Sequence, residues 1–168
     1  MYWKDVIKNS PKPWVITFIC TGNIMRSPYA EFISRKVYLD LKNQQSGIEG
    51  IVFKSGAVTH QNNTIHPLSE KYLLEEGIRK EIISIHQPRL IDNYIKYFKE
   101  SNLFIGMTNK HKRILTKKGY KHSYLLSEVA DKGREEILDP YFNPEKDKDI
   151  YLKLKLYTKI FVNELVKL

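Results

Sequence analysis

Cysteine is nearly missing from this chain: Cys20 is the only one in 168 residues. One thiol cannot build a disulfide scaffold, a cysteine-rich zinc site or an intramolecular thiol relay. It fits a reducing cytoplasm, the expected location. Long apolar runs are lacking too. Trp14–Cys20 is too short to span a membrane, and no small-residue cleavage site follows it, so neither anchor nor signal peptide is expected. With 8 Gly and 7 Pro the chain is not collagenous or low in complexity, and 42% hydrophobic residues exclude a disordered tail. Acidic residues are outnumbered, 19 against 28 basic, for a net charge of +9. A basic surface favours anionic partners. The lysines are scattered, however, and only Lys110–Arg113 with Lys117 and Lys118 cluster, as a solvated helix face would. That pattern argues against nucleic acid as the partner.

What is present reads as a single α/β domain over residues 14–168, preceded by an extension, 1–13, that ends in Ser10-Pro11-Lys12-Pro13. Trp14–Cys20 is β-branched and almost continuously apolar, the signature of a buried parallel strand. Thr21-Gly22-Asn23 breaks it. Ser27-Pro28 then opens a helix, Ser27 as N-cap and Pro28 as first helical residue, with Ala30, Ile33, Val37 and Leu41 down one face. Strands are expected at Ile51–Ser55, Leu103–Met107 and Ser123–Leu126. Helices are expected at Leu68–Glu76, stopped by Gly77, at Leu90–Lys99, and at Asn109–Lys118, stopped by Gly119. Leu and Lys alternate over Tyr151–Tyr157, yet Ile150, Leu154, Tyr157, Phe161, Leu165 and Leu168 keep helical spacing, which predicts a terminal helix. Strand–helix alternation implies a four-stranded parallel sheet flanked by helices.

The chemistry concentrates in Cys20-Thr21-Gly22-Asn23-Ile24-Met25-Arg26-Ser27-Pro28. A cysteine stands where a buried strand ends, the edge at which ligands of open α/β sheets bind. A loop feeding a helix N-terminus offers backbone N–H groups to an anion. Gly22 lets the backbone curl and Asn23 tolerates a left-handed conformation. The same donors and Arg26 favour a thiolate, hence a nucleophile. The planar fork of Arg26 can grip two phosphate oxygens, which a lysine could not.

This segment resembles the active-site loop of the low-molecular-weight protein tyrosine phosphatases: Cys, five residues, Arg, then Ser or Thr. The longer string Cys-Thr-Gly-Asn-x-x-Arg-Ser-Pro matches as well, and Asp139-Pro140-Tyr141 stands where that family carries an Asp-Pro-Tyr loop. The resemblance implies hydrolysis of phosphotyrosine in proteins, without metal or cofactor. Cys20 would be nucleophile, Arg26 the phosphate clamp and Asp139 the general acid and base. Thr21, Gly22, Asn23, Ile24, Met25 and Ser27 would form the phosphate loop, supported by Ser55 and His86. Ile24, Gln61, Tyr141 and Phe142 would wall the substrate pocket. The partner would be a tyrosine-phosphorylated protein, with no membrane, and the chain a monomer or weak dimer. His60, His66, His111 and His122 have no ligand-like spacing and read as surface residues.

Three departures stand out. Met25 occupies the place of a second cysteine common among relatives, so no protective disulfide can form at Cys20. Thr108 stands where an aspartate is usual, which removes an expected support of the loop. His60-Gln61-Asn62 replaces a pocket aromatic. Rival readings remain within reach of the same residues. An arsenate reductase that relays a disulfide along three cysteines is excluded by the single cysteine, which leaves only a glutathione-assisted version. A protein-arginine phosphatase of this fold has a small threonine after the loop asparagine where this chain has Ile24. An inactive phosphopeptide-binding module would have no use for Asp139.

Overall fold

The computed structural model describes residues 2–168. Four parallel strands form one sheet: β1 (Trp14–Cys20), β2 (Ile51–Ala57), β3 (Leu103–Gly106) and β4 (Ser123–Leu125), in the order β2-β1-β3-β4. All of β1 is buried, as its unbroken apolar sequence demands of a central strand. Register sets Cys20 beside Ala57 and Ile19 beside both Gly56 and Gly106. From β1 the chain crosses to the edge strand β2, then returns to the other side of β1 for β3. The connections leaving β1 and β3 therefore part, which opens a crevice at their carboxyl ends.

Among the described residues eight α-helices surround the sheet: α1 (Trp3–Lys8), α2 (Arg26–Gln44), α3 (Pro67–Glu75), α4 (Lys80–Ile83), α5 (Ile95–Phe98), α6 (Asn109–Lys117), α7 (Leu126–Val129) and α8 (Asp147–Leu165). Alternate residues of the central strands feed two unequal cores. Ile16, Phe18, Leu103 and Ile105 join the larger one with α1, α2, α3, α7 and α8, where Tyr29 and Tyr151 meet edge to face at 4.9 Å. Ile19 and Phe104 point the other way, into a small core with Ile91, Phe98 and Leu115.

The terminal helix forms as its 3.6-residue spacing predicts, with Ile150, Leu154, Tyr157, Phe161 and Leu165 buried. Gly77 follows α3 at φ +80°, a conformation other residues rarely adopt. The helix expected over Leu90–Lys99 is instead a 3-10 turn, Ile91–Asn93, and the short α5, because Tyr94 between them leaves helical geometry. Residues 2–13 are not a free lead-in. Trp3, Val6 and Ile7 of α1 lie in the main core, Trp3 edge-on to Phe161 at 5.2 Å. Among the described residues no helix is long and apolar enough to cross a membrane.

Candidate active site

β1 delivers Cys20 to the crevice, and residues 21–25 turn the chain into α2. Asn23 makes that turn possible. It sits fully buried at φ +56°, the left-handed conformation its short polar side chain tolerates. Its Nδ2 donates to Ser27 Oγ (2.9 Å) and Ser55 Oγ (2.8 Å), and its Oδ1 accepts from the Arg89 backbone N–H (3.0 Å). His86 Nε2 donates to the Asn23 carbonyl at 2.9 Å. Ser55 Oγ in turn donates a hydrogen bond to Glu31, which α2 presents inward and which pairs with Arg35 at 2.5 Å. The family resemblance had implied Asn23, Ser27, Ser55 and His86 as one support. It missed Glu31 and Arg89, and the polar Glu31 near the buried stripe of α2 was the one available signal.

Ser27 does not cap the helix. α2 starts two residues earlier than expected, at Arg26, and Met25 holds the cap position without a side-chain hydrogen bond. The Ser27 hydroxyl is needed elsewhere: it lies 3.0 Å from Cys20 Sγ and 3.3 Å from the Gly56 carbonyl. It accepts from Asn23, so its single proton is shared between the Gly56 carbonyl and the nearer sulfur of Cys20. With no side-chain cap, the first-turn N–H groups of α2 are left for an anion. Gly22 is required less for curl than for close approach. Asn62 Nδ2 donates to its carbonyl at 2.9 Å, and a Cβ there would come within 2.6 Å of that nitrogen. Ser69 Oγ and the His66 backbone N–H hold the carbonyls of Met25 and Ile24 at 2.9 and 3.0 Å.

Arg26 is 3% exposed, and its fork faces the loop after α7. Nη1 donates to the Ile137 carbonyl and Nη2 to Asp139 Oδ2, both at 2.9 Å. Asp139 shapes its own loop by accepting from the Tyr141 backbone N–H at 3.0 Å. Cys20, Arg26 and Asp139 thus line one cavity of about 350 Å³, walled by Ile24, Tyr141, Phe142, His60 and Asn62. Tyr141 and Phe142 are 64% and 76% exposed and meet edge to face at 5.0 Å, so they form a rim, not part of the core. Gln61 is a correction. Its side chain turns away to the Pro88 carbonyl and the Leu90 N–H, leaving its neighbours His60 and Asn62 to face the cavity.

The histidines divide more sharply than their sequence spacing suggests. His60 and His122 are exposed, and His66 caps α3 through Nδ1, which accepts from the Leu68 N–H at 3.0 Å. His111 is not a surface residue: it is 2% exposed, and Nε2 lies 3.1 Å from Thr21 Oγ1. Thr108 caps α6 by accepting from the His111 N–H, so the position that lacks the usual aspartate still starts its helix. Burial, helped by the charges of Arg26 and Lys110, pulls the His111 ring down to about 3. Burial also lowers His86. Both rings are therefore neutral near pH 7. Among the described residues no three His, Cys, Asp or Glu side chains cluster in a way that would hold a metal ion.

A thiol at the head of an uncapped helix, an arginine fork and a facing carboxyl suit a tetrahedral oxyanion and the transfer of its central atom. Relatives agree with this geometry. Residues 15–166 match the model of the low molecular weight phosphotyrosine protein phosphatases. The chain is 26% identical over 132 residues to the low molecular weight protein-tyrosine-phosphatase PtpB of Staphylococcus haemolyticus (strain JCSC1435), covering 75% of this chain and 80% of that one. It is 24% identical over 129 residues to the protein-arginine-phosphatase of Bacillus subtilis (strain 168), covering 75% and 79%. Its fold superposes on a YwlE mutant from Bacillus subtilis with a TM-score of 0.76 at 21% identity, over 90% of this chain and 98% of the other. The chain belongs to the low molecular weight phosphotyrosine protein phosphatase family, a family of hydrolases.

Proposed function

We propose that the chain is a protein-tyrosine phosphatase that works through a phosphocysteine. The observation that carries this reading is the convergence on one cavity of Cys20, with the Ser27 hydroxyl at its sulfur, and of Asp139, joined to Arg26. Cys20 thiolate attacks phosphorus while the bond to the tyrosine oxygen breaks. Arg26 and the loop amides hold the other three oxygens. Protonated Asp139 gives its proton to the departing phenolate. A tyrosine leaving group, with a pKa near 10, gains much from that help, typically ~10²–10⁴-fold. Asp139, now a carboxylate, takes a proton from water as the water attacks phosphorus. The S–P bond breaks, phosphate leaves, and the Ser27 hydroxyl stabilises the returning thiolate. A phosphopeptide-binding module would need no such acid, and the presence of Asp139 in the cavity with Cys20 supports turnover over binding alone.

The cavity walls favour an aromatic ring over a guanidinium. Ile24, Tyr141 and Phe142 supply apolar and aromatic surface on which a phenyl ring can rest. The partner would then be a tyrosine-phosphorylated protein, and the working thiol of Cys20 suits the reducing cytoplasm. Hydrolysis of matched phosphotyrosine and phosphoarginine peptides, in chelator, separates the two substrates. A clear preference for phosphotyrosine, lost in Cys20→Ser, is expected. Preference for phosphoarginine would transfer the assignment to the arginine phosphatases.

A further inference from the structure

The His111 ring sits where nothing in the proposed chemistry requires a histidine, yet every polar atom of it is used. Nδ1 lies 3.2 Å from the backbone nitrogens of both Met107 and Thr108. Backbone N–H groups only donate, so Nδ1 must be an unprotonated acceptor. The single ring proton is then on Nε2, and it is donated to Thr21 Oγ1, the hydroxyl directly after Cys20. The bonds continue from there. The Met107 carbonyl accepts from the Ile137 N–H at 2.8 Å, and Ile137 returns its own carbonyl to Arg26 Nη1 at 2.9 Å. Thr21, His111, Met107, Ile137 and Arg26 therefore close a ring that starts and ends in the phosphate loop, passing two residues from Asp139.

We infer that His111, as the neutral Nε2–H tautomer, is a positioning residue that fixes the acid loop against the phosphate loop through Thr21 and Met107. This rests on the phosphatase reading, because the group it positions is Asp139. Protonation would turn Nδ1 into a donor facing two N–H donors and break the ring at β3. Burial and the nearby positive charges of Arg26 and Lys110 keep the ring neutral across the pH range in which the enzyme would work. The consequence is specific. Loosening this link misplaces the proton donor more than the nucleophile, so the damage must grow with the basicity of the leaving group.

The test compares kcat/KM for p-nitrophenyl phosphate, whose leaving group needs little protonation, with that for phenyl phosphate. Thr21→Val removes only the hydroxyl, and His111→Gln replaces the ring. Each is expected to reduce kcat/KM on phenyl phosphate roughly tenfold more than on p-nitrophenyl phosphate, a fraction of what a general acid contributes. Thr21→Ser should regain the parent's ratio between the two substrates. In an Asp139→Ala background Thr21→Val should no longer change that ratio. Equal losses on both substrates, or none, overturn the positioning role. Should His111→Gln fail to fold, Thr21→Val decides alone. Absence of any Cys20-dependent turnover in the parent would instead defeat the phosphatase reading itself.

Discussion

The two loops that meet over the cavity are built on opposite plans. The phosphate loop is sunk into the protein, with Asn23 fully buried and tied to Ser27, Ser55, His86 and Arg89. The acid loop is anchored near its start, by Arg26 on Ile137 and Asp139 and by the Ile137 N–H on Met107, and then turns Tyr141 and Phe142 out to solvent. A buried network in which each group has its partner has only one low-energy arrangement, which is what an anion cradle needs. A rim of exposed rings can change without unfolding anything, which suits the choice of substrate. Changes in the cradle should therefore cost both stability and turnover, and changes in the rim should cost recognition alone.

The largest effect is expected from Asp139, the acid-loop residue to which the proposed mechanism gives a proton transfer. Asp139→Ala should lower turnover of a phenolic substrate by ~10²–10⁴-fold, while inhibition by inorganic phosphate is retained. Parent-like rates would remove Asp139 from the mechanism. Asn23→Ala strikes the cradle. It forces alanine into a left-handed conformation and strands buried partners, so urea denaturation should show a loss of about 2–4 kcal/mol along with lower kcat. A stable but slow variant would mean the network serves chemistry without holding the fold.

Acid should expose the next difference. In the folded state the His111 ring titrates at about 3, below its ordinary 6.5, so the unfolded chain takes up the proton first. That contribution to stability is complete above pH 6.5 and is lost as pH falls toward 3, with His86 shifting in the same direction. Between pH 6.5 and 4.5 the parent should lose roughly 2 kcal/mol through His111, and His111→Gln should flatten that slope. An unchanged slope would show that His111 is charged or exposed in solution. The smallest effect belongs to the rim. Phe142→Ala should raise KM for aryl phosphates a few-fold, in line with about 0.5–1.5 kcal/mol for an aromatic contact, and leave the melting temperature in place. A drop in melting temperature would make the ring structural and erase the contrast between the loops.

The parts of this design that local sequence controls were visible before folding. An unbroken β-branched run gives a central strand, a Gly-Asn pair gives the turn after it, and helical spacing finds α8 despite its alternating stretch. What escaped depends on contacts between distant segments. His111 looks like one more polar residue of a basic helix, and only the meeting of β3 with the phosphate loop buries it. Gln61 and its neighbours carry no signal telling which of them faces the cavity, since a shift of one residue reverses the side on which a chain presents its side chains. Helix α1, with six residues, is too short for periodicity to reveal, and it exists because Trp3, Val6 and Ile7 find the core. Ser27 looked like a cap because serine favours caps, but the thiol and Asn23 claim its hydroxyl.

The central claim is that phosphate passes through Cys20. Mixing the enzyme with an aryl phosphate, quenching in acid within milliseconds, and mapping the peptides by mass spectrometry tests it most directly. A phosphoryl group on the peptide that contains Cys20, formed at the rate of the phenol burst and absent from Cys20→Ser, is the predicted result. Steady turnover by the parent with no phosphoryl group on Cys20, or turnover that survives in Cys20→Ser, would contradict it.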